Sequence, residues 1–177
     1  MTDFKLRPFS TDITLPAIEL TGQIDFQDRL LSIVYHLQGN LETLIIPSAH
    51  PTPSRKFALW ESTCFEFFIG VPGNANYWEF NLSPAGDWNV FTLDDYRQGL
   101  QNELAFTALP LSIDRSATSL VLKSIVDLSK IFPAAPELEL SVTAVIESSQ
   151  HELSYWALTH PGTVADFHRR DSFVLKI

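Results

Sequence analysis

The stretch YWEFNLSPAGDWNVF, residues 77–91, decides the fold. Side chains alternate between apolar and polar at two-residue spacing on either side of SPAGD, the pattern of a strand, a tight turn and a second strand. Successive side chains of a strand point to opposite faces, so Tyr77, Glu79 and Asn81 share one face while Trp78, Phe80 and Leu82 share the other. The second face is core. Pro84 and Gly86 shape the turn, with Gly86 expected to take a positive φ that other residues resist. The first face, with its acid and amide, is either solvated surface or the floor of a binding site.

Outward from this hairpin, the chain reads as strand after strand. TCFEFFIGV (63–71) precedes it across a VPGNAN turn, and AIELTGQIDF (17–26) with LLSIVYHLQG (30–39) forms a hairpin about a short polar QDR. Later apolar runs at 104–113, 119–126, 138–148, 153–160 and 172–177 bring the expectation to about ten strands. DLSKIF (127–132) alone looks helical, as one short turn capped by Asp127 or Ser129 and stopped by Pro133. PSAHPTPSR (47–55) cannot continue a sheet and is expected as a surface loop of the kind that borders sites. Neither it nor PAAPE (133–137) is long enough to divide domains. The expected architecture is all-β: one domain over 1–177, an antiparallel β-sandwich of jelly-roll type.

Composition agrees. The 177 residues are 45% hydrophobic and 12% aromatic, with 13 Phe and 4 Trp, which suits packed strands better than a helical bundle. Twenty-one acids against 12 bases give a formal net charge of -9, which argues against nucleic acid or an anionic membrane as partner. Single Cys64 excludes an internal disulfide and any multi-cysteine metal site; it is expected as a buried thiol. No signal segment opens MTDFKLRPFS and no apolar run approaches a membrane span, so a soluble, cytoplasmic protein is expected. Glycine-rich phosphate loops, nucleophile elbows, zinc helices and EF-hand loops are all missing from the sequence. Asn81-Leu82-Ser83 matches the glycosylation pattern but lacks the secretion signal that would give it meaning.

The run 59–91 resembles the central hairpin of DOMON-like domains and of family 9 carbohydrate-binding modules, on Trp60, Glu66, Tyr77, Glu79, Asn81, Pro84 and Gly86. YWALTHPGTVADFHRRDSF (155–173) is similar to the closing segment of DOMON-like proteins. Together these cover under a third of the chain. The resemblance implies a β-sandwich with a concave sheet face that takes a small ligand, a sugar in the family 9 modules and haem in some DOMON domains. It also implies that Trp60 and Glu66 act as stacking platform and acid. A pyranose needs that mixture, an aromatic face for its ring and fixed polar groups for its hydroxyls.

Alternation sets Cys64 and Glu66 on one face, and an antiparallel neighbour would bring Glu79 and Asn81 beside them. A second stacking ring could come from Trp88, Trp156 or Phe167. The C-terminal loop crowds His160, Asp166, His168, Arg169, Arg170 and Asp171 together. Asp166 and the arginines are expected to tie it to the sandwich, with His168 hydrogen-bonded inside. His160, Asp166 and His168 would alternatively make a two-histidine, one-carboxylate metal set, and Arg169 or Arg170 could reach the ligand. The candidate ligand-binding residues are thus Trp60, Glu66, Tyr77, Glu79, Asn81, Trp88, His160 and Arg169.

The expected function is non-catalytic binding of a saccharide-like small molecule. Calcium and haem stay open as cofactors, although Met1 is the only methionine and a histidine would have to ligate haem. A hydrolase using Glu66 and Glu79 as paired carboxylates, and a protein-interaction scaffold, are the other readings.

Overall fold

The computed structural model describes residues 1–9, 17–134 and 136–177, so PAAPE is described except at Ala135. Fourteen strands are formed among the described residues: β1 (Thr2–Lys5), β2 (Arg7–Pro8), β3 (Ile18–Gln27), β4 (Leu30–Gly39), β5 (Leu44–Ile45), β6 (Cys64–Gly70) and β7 (Tyr77–Leu82), then β8 (Trp88–Leu93), β9 (Gln101–Asn102), β10 (Leu111–Arg115), β11 (Ser119–Asp127), β12 (Glu139–Ser148), β13 (Leu153–Ala157) and β14 (Leu175–Lys176). They make two antiparallel sheets. One runs β1-β3-β4-β11-β10; the other runs β2-β13-β12-β6-β7-β8-β9, with β5 and β14 also pairing to β12.

The sheets meet through the apolar half of each alternating strand. Leu31, Ile33, Tyr35 and Leu37 of β4 and Leu120 and Leu122 of β11 face Phe65, Phe67 and Ile69 of β6, Phe80 and Leu82 of β7, and Val142 and Ala144 of β12, all buried. Phe67 and Phe80 stack at 4.3 Å between centroids with planes 10° apart. Burying such rings contributes roughly 1.5–3 kcal/mol each, the main favourable term for the sandwich. A buried polar bond also crosses between the sheets: the Tyr35 hydroxyl donates to the Glu66 carbonyl at 2.6 Å. That bond fixes the backbone of β6 beneath the Glu66 side chain.

The expected hairpins form. β3 pairs with β4, and β6, β7 and β8 pair in succession, with Glu66 opposite Asn81 and Phe68 opposite Glu79. Gly86 adopts φ +95° in the turn. The helical turn is a 3-10 turn over Leu128–Lys130, and the Asp127 carboxylate accepts from the Ser129 backbone N–H. The 104–113 run enters a strand only at Leu111. Phe106 and Leu109 are buried there without pairing, and the carbonyls of Glu103 and Phe106 accept from Arg55. Among the described residues, no helix is long and apolar enough to cross a membrane.

Candidate functional site

Strands β6, β7, β8 and β12 are buried on both faces, which a two-layer sandwich does not by itself require. The second cover is the segment after β13. Phe167 and Phe173 pack on Phe68, Tyr77, Val145 and Ala157 of the outer sheet face as a small second core. Arg170 ion-pairs with Glu139 and donates to the Val71 carbonyl, lying over Gly70, where any Cβ would collide with the guanidinium. Asp166 accepts from the Tyr96 hydroxyl at 2.6 Å and from Arg97 at 2.9 Å, which ties the segment to the turn after β8. The expected electrostatic ties therefore exist: Arg170 holds the segment to β12, Asp166 holds it through Arg97, and only Arg169 pairs within the segment, with Asp171.

Between this cover and the sheet lies a cleft of about 500 Å³. Glu66, Phe68 and Glu79 line its sheet side, while Trp60, Tyr155 and Phe167 supply aromatic walls and Leu93, Leu100, Val145 and Leu153 aliphatic ones. Arg97, His168 and Glu61 complete the polar lining. Trp60 sits in a 3-10 turn over Leu59–Glu61, edge-on to Phe57 and Phe91 at 5.2 and 5.8 Å. That turn is entered through Ala58 at φ +58°, a strained position for a residue with a Cβ.

The polar groups are few and mostly committed. Glu79 accepts from the Asn81 amide at 2.8 Å, and its other oxygen lies 4.0 Å from His168 Nε2. His168 Nδ1 and the Tyr77 hydroxyl are 2.8 Å apart, and that hydroxyl also accepts from the Arg97 backbone N–H. Since the Tyr77 proton finds an acceptor at Nδ1, the imidazole keeps its own proton on Nε2, facing Glu79. Glu66 is different. It is 2% exposed, its Oε2 takes a long 3.5 Å bond from Thr143, the Cys64 thiol lies beside the carboxyl, and its Oε1 has no hydrogen-bond partner.

Burial dominates the titration of all these groups. It raises Glu79 to about 7, against the pull of Asn81 and Arg97. Glu66 is pushed well above the carboxylate range by burial and then by the Glu79 charge. The Tyr77 phenol rises to about 12 and the Cys64 thiol also rises, while burial and the Arg97 charge hold His168 at about 4. Near neutrality the cleft thus holds two carboxyls reluctant to ionise beside a neutral imidazole.

Of the residues singled out in the sequence, Trp60, Glu66 and Glu79 line the cleft together. Tyr77 and Asn81 sit just behind them, fully buried, as supports for His168 and Glu79. Four lie elsewhere. Trp88 is opposite Leu82 and so points into the main core, with the Arg55 guanidinium 4.4 Å from its ring centre; Trp156 is likewise inward. His160 Nε2 bonds the Arg7 carbonyl at the β2 edge, and Arg169 is held by Asp171. With His160 so placed, the two-histidine metal set is not assembled, and no group of three or more His, Cys, Asp or Glu among the described residues is arranged for a metal. Loop 47–55 does not border the cleft. Together with Lys56 it clamps the hairpin turn: His50, Ser54 and Lys56 converge on Asp87, whose burial is outweighed by these partners, so that it titrates at about 2. Arg97, Tyr155 and the aliphatic lining were not legible, because nothing in the spacing links Arg97 to an aspartate 69 residues away.

No protein-family model matches the sequence, and no curated protein matches it. Solved structures do match. The chain superposes on a candidate carbohydrate-binding protein from Bacteroides uniformis with a TM-score of 0.78, at 15% identity, over 97% of this chain and 84% of that one. Two structures of a family 9 carbohydrate-binding module from Caldicellulosiruptor kristjanssonii also match. The glucose complex gives a TM-score of 0.51 at 9% identity over 85% of this chain and 71% of that one. The cellotriose complex gives 0.54 at 10% identity over 92% and 74%. The fold is therefore a β-sandwich similar to that of family 9 carbohydrate-binding modules.

Proposed function

We propose that this protein is a saccharide-binding module, taking a sugar or a similar polyhydroxylated small molecule into the cleft without transforming it. The observation that carries this reading is the buried, unpartnered Glu66 Oε1 in a cleft walled by Trp60, Tyr155 and Phe167. An unsatisfied buried oxygen costs roughly 1–3 kcal/mol, which a ligand hydroxyl would recover, while aromatic walls suit the apolar face of a sugar ring. A neutral carboxyl both donates and accepts, as a hydroxyl does, so Glu66 and Glu79 match hydroxyls in kind. In this reading Trp60 is the stacking platform, Glu66 and Glu79 fix hydroxyls, and Asn81 with Tyr77 and His168 positions Glu79. The fold shared with modules solved with glucose and cellotriose adds support.

Intrinsic tryptophan fluorescence and thermal unfolding across a panel of mono- and oligosaccharides test the proposal. A ligand-specific shift, abolished in Trp60→Ala and Glu66→Ala, is the expected result. A panel that moves neither signal refutes saccharide binding, and release of shorter sugars from the oligosaccharides would replace binding with hydrolysis.

A further inference from the structure

We infer that the saccharide favoured by this cleft carries a primary ammonium group, seated between Glu66 and Glu79 with the sugar ring against the aromatic walls. This rests on the saccharide reading and names its chemical class. Register makes the two glutamates diagonal neighbours on adjacent strands, Glu66 opposite Asn81 and Glu79 opposite Phe68. Diagonal positions are about 7–8 Å apart along the backbone, so long side chains there can converge on one small group.

The charge balance of the lining favours a cation. Glu61, Glu66 and Glu79 are its three acids, and Arg97 is its single fixed base. Arg97 is already paired with the buried carboxylate of Asp166. His168 is neutral above about pH 4, Tyr77 stays a phenol, Cys64 beneath Glu66 stays a thiol, and Thr143 offers only a hydroxyl. Among the described residues no cation therefore compensates Glu66, whose Oε1 has no hydrogen-bond partner. Calcium or magnesium would need six or more oxygen ligands, water included, whereas the lining is mostly aromatic and aliphatic, and no group of three or more His, Cys, Asp or Glu among the described residues is arranged for a metal. An ammonium has three donors, enough for Glu66 Oε1 and the free side of Glu79, and its carbon frame accepts aromatic and aliphatic neighbours.

A cation entering here displaces the protons that burial holds on the pair. Ammonium binding should therefore release protons and strengthen as pH rises from about 5 to about 7, through the range where Glu79 ionises. Binding of a neutral sugar, which uses the protonated carboxyls, should weaken over that range.

Titration calorimetry near neutral pH with glucosamine, N-acetylglucosamine, glucose and cyclohexylamine decides the matter. We expect glucosamine to bind about tenfold or more tightly than glucose or N-acetylglucosamine. That margin should collapse in Glu66→Gln and Glu79→Gln. Equal affinity for glucose and glucosamine overturns the ammonium inference and leaves the saccharide reading standing. Cyclohexylamine binding without any sugar binding overturns the saccharide reading but upholds the ammonium seat. Silence from all four probes overturns both.

Discussion

Glu79 and His168 face each other across 4.0 Å, and burial displaces their titrations in opposite directions, to about 7 and about 4. The consequences for stability oppose as well. A glutamate raised from 4.5 contributes stability that is fully present below 4.5 and is lost as pH rises toward 7; a histidine lowered from 6.5 contributes stability that is lost as pH falls from 6.5 toward 4. Each displacement corresponds to about 3 kcal/mol at 1.36 kcal/mol per pH unit, so within the shared window the two slopes nearly cancel. Removing either partner should uncover the other. Glu79→Gln, which can still accept from Asn81, is expected to be more stable than wild type at about pH 8 and to lose stability more steeply on acidification. His168→Asn should show the reverse tilt, losing stability as pH rises from about 5 to 7. Urea midpoints across pH for the two variants check this, and parallel profiles for both would mean that the facing pair does not titrate as described.

Gly22 shows how a single position governs an element. Phe4 of β1 pairs opposite Gly22 of β3, and its ring occupies the space a Cβ would take, edge-on to Tyr35 at 5.6 Å. A Cβ would collide with the Val34 carbonyl as well as the ring, so Gly22→Ala must displace backbone. We expect a loss of about 1–3 kcal/mol and faster proteolysis within Thr2–Lys5; an equilibrium unfolding curve that overlays wild type would show that β1 is held by something else. β1 was invisible in the sequence because TDFK is too short to show alternation, as are the two-residue strands β2, β5 and β9. Long strands were legible because one face of each is uniformly apolar, and the 77–91 hairpin was read down to the φ of Gly86. The inward position of Trp88 was also within reach. A residue paired across a hairpin shares its partner's face, and Leu82 already belonged to the core. The cover over the outer face was legible only as an unusual loop, since its contacts join residues separated by 31 to 99 positions.

At the scale of the molecule, the cleft exists because the sandwich has a core of its own and the C-terminal segment builds a smaller one outside it. The two differ in size and in attachment. The main core gathers strands from both sheets, whereas the small one relies on Phe167, Phe173 and a few polar ties to hold the cover. Segments held by few buried contacts open at lower free energy than the global transition, so the cover should be the first element to exchange. Hydrogen exchange is expected to be faster at backbone amides of residues 163–174 than at Leu31–Leu37 of β4. Saturating ligand should slow the former and leave the latter unchanged, because a molecule seated between Glu66 and Phe167 touches the cover and not the far sheet. Protection that rose uniformly in both sheets would instead locate binding in global stabilisation of the sandwich, and protection confined to β4 and β11 would move the site to the other sheet altogether.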